Sequence, residues 1–112
     1  MILTDRVWKL LEPATAIADN ISKEQIEKGL DDGTYQIFMD EKSVVITADY
    51  VDTLRIGLAG GDLEDLVEIE KEIYDYAKTM WFSHVDILGR CGWEKVLPDY
   101  KKQAVLLRRK IV

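Results

Sequence analysis

The chain has 112 residues, is 47% hydrophobic and 32% charged, and carries a formal net charge of −6 with a pI of about 4.7. This is the composition of one ordinary folded domain, spanning residues 1–112, and not of a disordered or collagen-like chain. One cysteine and one histidine (His84) exclude an internal disulfide and a multi-cysteine zinc site, and leave any histidine-based metal site short of partners.

In chain order, Val7, Leu10, Leu11, Ala14, Ile17 and Ile21 recur at helical spacing and predict an amphipathic helix over about 5–19. Pro13 inside it predicts a kink or a break into two short helices. Ser22 followed by Gln25 reads as a capping box, with Ile21 and Ile26 placed for a hydrophobic staple. The helix it opens should stop near Asp32-Gly33. Three strands are then expected, at 35–40, 43–50 and 53–59, the first two joined by the hairpin turn Asp40-Glu41-Lys42. In the third, Leu54, Ile56 and Leu58 alternate on one face, and Gly57 marks a bulge or a close backbone approach.

Gly60-Gly61-Asp62 breaks the chain before a long helix running to about Trp81, with Asp62 as its cap and Leu66, Ile69, Ile73, Ala77 and Met80 as its buried stripe. A short buried strand over 84–88, a Gly89-Arg90-Cys91-Gly92 turn, a short helix over 93–97 ended by Pro98, and a last strand over 103–111 complete the order. The fold class is α+β, with the order α-α-β-β-β-α-β-α-β. The β-α-β run near the end implies a parallel pair with a right-handed crossover.

Charge is divided unevenly. Residues 1–81 hold 8 basic and 18 acidic side chains, net −10, whereas residues 82–112 hold 7 basic and 3 acidic, net +4. An acidic body disfavours nucleic acid. No apolar stretch nears the ~20 residues that span a bilayer, so no membrane association is expected. The start MILTDRVWKLL lacks the build of a signal peptide, and a cytoplasmic protein fits.

Ile56-Gly57-Leu58-Ala59-Gly60-Gly61-Asp62-Leu63, the Gly89-Arg90-Cys91-Gly92-Trp93 turn, and the following Leu97 and Tyr100 carry a resemblance, together with the element order. The chain resembles the GNAT-like N-acetyltransferase fold, and within it the small GNAT-like proteins of tailed phages and prophages. The likeness covers most of the chain. It implies a mixed sheet, and either of two roles: a structural, virion or assembly interaction protein without acetyl-CoA chemistry, or a small acetyl-CoA-dependent N-acetyltransferase. The sequence leans to the first, hence to no enzyme, no cofactor, and a location in the host cytoplasm or the virion.

The chain departs from the enzymes of that family. The family's first strand and the end of its closing hairpin are missing. The acetyl-CoA loop pattern Arg/Gln-x-x-Gly-x-Gly/Ala meets Arg55-Ile56-Gly57-Leu58-Ala59-Gly60 here, with Leu58 in place of the first glycine. If acetyl-CoA binds, Gly60, Gly61 and Arg90 are the residues expected to hold it, through backbone amides and a guanidinium. Asp62, Glu64 and Asp65 surround the same helix start and would repel a pyrophosphate by about 1 kcal/mol each. Tyr100, the candidate for the family's proton-donating tyrosine, is spaced nearer a helix end. Cys91 has no adjacent histidine to activate it, and Ser83, His84 and Asp86 alternate faces along a strand, which argues against a triad.

The segment Lys101–Val112 is basic. Its charges can guard an edge strand, or meet an acidic partner surface, with Arg108, Arg109 and Lys110 as the partner-binding residues. A second copy of the chain or a phage structural protein is the partner expected.

Overall fold

Thr4 opens the first helix: its hydroxyl accepts a hydrogen bond from the Val7 amide at 3.2 Å, and α1 runs Asp5–Leu11. The computed structural model describes residues 1–89 and 92–112, so Arg90 and Cys91 lie outside the described residues. Pro13 breaks the long apolar pattern as expected. A 3-10 helix, Glu12–Ala16, takes over from α1 and the chain turns at Asp19 and Asn20, both with positive φ.

Helix α2, Lys23–Asp32, starts at a complete capping box. The Gln25 amide donates to Ser22 Oγ at 3.1 Å and the Ser22 amide to Gln25 Oε1 at 2.8 Å. It ends at Gly33, in the left-handed conformation. Strands β1 (Tyr35–Met39), β2 (Val44–Tyr50) and β3 (Thr53–Gly60) form an antiparallel meander. Helix α3, Leu63–Thr79, crosses over to β4, His84–Ile87, which pairs parallel with β3. The short helix α4 is Trp93–Val96. The result is an α+β domain with an open mixed sheet in the order β1-β2-β3-β4.

Helices cover both faces of this sheet. On one, Leu3, Val7, Leu11 and Ile26 pack on Val44, Ile46 and Leu58. On the other, Leu66, Ile69, Ile73 and Ala77 of α3 pack on Val45, Leu54 and Ile56. This explains why β2 reads as a continuous apolar run: Val44 through Thr47 are all buried, because neither face is left to water.

Four expectations need correction. Leu58 does not share a face with Leu54 and Ile56. Ile46 pairs with Leu58 and Thr47 with Ile56, which leaves Gly57 as the extra residue of a β-bulge, and the bulge turns Leu58 to the opposite core. Met80 is exposed, because α3 ends at Thr79 and the helical period no longer places the next residue. Strand β4 is an edge strand with His84 exposed and the rest half-buried. Residues 103–111 form no strand. They are exposed and unpaired, and strand-forming side chains do not make a strand without a neighbouring backbone.

Candidate functional site

The step from β3 into α3 is where a phosphate-holding loop was expected, and packing decides what it can do. A side chain at Gly60 would run into the Leu10 carbonyl of α1. At Gly61, with φ +126°, it would meet Ser43 and the Lys42 carbonyl. These glycines let the chain pass close to two other backbones. The Asp62 amide at the start of α3 donates to Ser43 Oγ at 3.0 Å. Ser43 is fully buried, and its hydroxyl also lies 3.5 Å from Asp65 Oδ2. Asp62 stands at the N-cap position, but its carboxylate accepts no capping bond. Ser43, in the turn before β2, holds the Asp62 amide itself, and no local pattern in the sequence announces it.

Beyond Ile56 the two parallel strands part. Strand β4 ends at Ile87, whereas β3 continues through its bulge to Gly60. The gap is a pocket of about 290 Å³. Leu10, Pro13, Ala14 and Ile17 wall one side, and Leu88 and Trp93 another. Among the described residues that line it, none is charged. It offers apolar contact and the β3 backbone, so it suits an aliphatic or aromatic group better than an ion.

Tyr100 is half-buried and donates its hydroxyl to Glu70 Oε2 of α3 at 3.0 Å. Burial, with the Glu70 carboxylate beside it, raises the phenol above its ordinary range, so it keeps its proton at neutral pH. Its geometry is that of an anchor between α3 and the chain after α4. Ser83 and His84 touch, with Oγ 2.9 Å from Nδ1, but the Ser83 hydroxyl donates to the Asp52 carbonyl. Asp86 pairs instead with Arg55, at 3.5 Å. Arg55 lies within β3 and stacks over Tyr50, 4.2 Å from the ring centre. The three residues form no triad.

Arg108, Arg109 and Lys110, the residues expected to bind a partner, lie in the exposed C-terminal segment. Arg108 pairs with Asp19 at 2.8 Å, beyond the 3-10 helix that walls the pocket. Around these basic groups, Val105, Leu106, Leu107, Ile111 and Val112 stand in solvent, each at least 70% exposed. Gly60 and Gly61 therefore sit beside the pocket and the basic residues beyond it, while Arg90 lies outside the described residues. Sequence reasoning missed Ser43, Glu70 and Asp19, whose partners are distant along the chain. Compared with protein-family profiles, curated protein sequences and solved structures, the chain matches none.

Proposed function

We propose that this chain is a phage- or prophage-type GNAT-like protein that acts as a structural, virion or assembly interaction protein, without acetyl-CoA chemistry. One observation carries the reading: the basic C-terminal segment exposes five large apolar side chains, Val105, Leu106, Leu107, Ile111 and Val112, each at least 70% exposed. Exposed apolar surface of this kind marks a contact with another macromolecule. The three-stranded meander, the long crossover helix and the parting of β3 from β4 support the GNAT-like part of the reading.

The apolar pocket favours a second reading, a small acetyl-CoA-dependent N-acetyltransferase, since it can take an acyl or alkyl group. The phosphate end of that cofactor fits poorly. The Asp62 amide already serves Ser43, and the helix start carries Glu64 and Asp65 in its first turn. Calorimetric titration with acetyl-CoA separates the two. No heat is expected, and micromolar binding, about −8 kcal/mol, overturns the first reading. Capture of phage proteins from an infected host by the wild type, and its loss in Arg108→Glu plus Arg109→Glu, is the result expected of an interaction protein. Equal capture by both sinks the role given to the basic segment.

A further inference from the structure

We propose that residues 103–112 of one copy add as a strand to the free edge of β4 in a second copy, closing a reciprocal dimer. The inference rests on the reading of the C-terminal segment as the binding element, and names what it binds. Strand β4 ends the sheet. The Leu88 amide donates to the Ile56 carbonyl at 3.0 Å. Backbone groups alternate sides along a strand, so Asp86 also faces β3, while Val85 and Ile87 turn their N–H and C=O groups away from it. Among the described residues, no backbone hydrogen bond reaches those groups from the open side. An edge of this kind is a template for another chain.

The side chains on offer match a strand covered by α3 on one face. Val85 and Ile87 pack into the core under α3. On the other face Asp86 pairs with Arg55, and Leu88 borders the apolar pocket. A strand laid against β4 meets Val85 and Ile87 on the α3 face and the charged Asp86 with Leu88 on the other, and Ala104-Val105-Leu106-Leu107 supplies apolar side chains to the first of these.

Charge selects the occupant. Residues 101–112 carry five basic and no acidic side chains, whereas residues 1–81 carry a net −10. Two such segments repel each other, and each is attracted to a body like its own. Arg108 already meets Asp19 of its own chain while the neighbouring apolar side chains stay in solvent. The segment thus reaches its own body without forming a strand there. Each copy has one such segment and one β4 edge, so a two-fold exchange satisfies both.

The experiment uses the full chain and a chain ending at Lys102. Light scattering over rising concentration is expected to move the full chain from 12.9 kDa toward twice that mass, and to leave the shortened chain at its monomer mass. Hydrogen exchange at the Val85 and Ile87 amides is expected to slow at least tenfold in the full-length dimer and not in the shortened chain. A full chain that stays monomeric at every concentration overturns the proposal. So does a dimer that survives the truncation, or one that leaves those two amides unprotected. Protection at the monomer mass overturns the second copy as the occupant. None of these failures touches the interaction reading itself, which is tested separately by the acetyl-CoA titration and by capture with the Arg108→Glu plus Arg109→Glu variant.

Discussion

Val44-Val45-Ile46-Thr47 and Ala104-Val105-Leu106-Leu107 are both short apolar runs, yet the first is wholly buried and the second lies in solvent. The first has β1 on one side, β3 on the other, and helices above and below. The second follows an anchor at Tyr100 and then meets no strand. A strand is a property of a backbone with neighbours, and burial follows from the layers that cover it. The body encloses two apolar cores, and the C-terminal segment leaves its apolar side chains in solvent.

The contrast breaks if the body tolerates damage or the segment does not. Ile73 is fully buried at the centre of the α3 core, and Ile73→Ala should cost about 2–5 kcal/mol in denaturant unfolding. A loss below about 0.5 kcal/mol would mean that this core does not hold the body together. Gly60→Ala should cost about 1–3 kcal/mol, since its new methyl group meets the Leu10 backbone carbonyl, which cannot rotate away. Unchanged stability would show that α1 does not press on the β3–α3 step.

A smaller effect has the opposite sign. Val51 is fully exposed and has φ 55°, a conformation a β-branched residue adopts at a cost. Val51→Asn should raise stability by about 1 kcal/mol, read as a higher denaturant midpoint with unchanged slope. On the segment itself, Leu106→Asp in the monomer should change stability by less than about 0.5 kcal/mol, because the side chain packs on nothing there. A large loss would place Leu106 in the body's core and erase the contrast.

The smallest effect is with pH. Hydrogen bonding from the Thr34 side chain, and then from its amide 2.9 Å from Asp32 Oδ1, holds the Asp32 carboxyl below its ordinary value of 3.8. The folded form therefore favours the ionised group. This contribution is present above pH 3.8 and lost as pH falls through the lowered folded value. Thr34→Pro removes the amide, and should narrow the acid-dependent loss of stability in that window.

Local chemistry was legible in the chain. Ser22 and Gln25 announced a helix start, Gly33 a helix end, Pro13 a break, and Gly57 a bulge, because each acts on its near neighbours through backbone geometry. Runs of β-branched and aromatic residues, the alternation in β3 and the helical period of α3 also located β1 to β4 and α3 to within a few residues. Tertiary structure decided the rest. The bulge at Gly57 sent Leu58 to the opposite core, a change of face that alternation alone cannot show. Ser43, from the β1–β2 turn, occupied the amide at the start of α3, so the Gly-rich step became a packing joint. Residues 103–111, with every local preference of a strand, stayed unpaired, because propensity is local and a strand's partner is supplied only by another stretch of backbone.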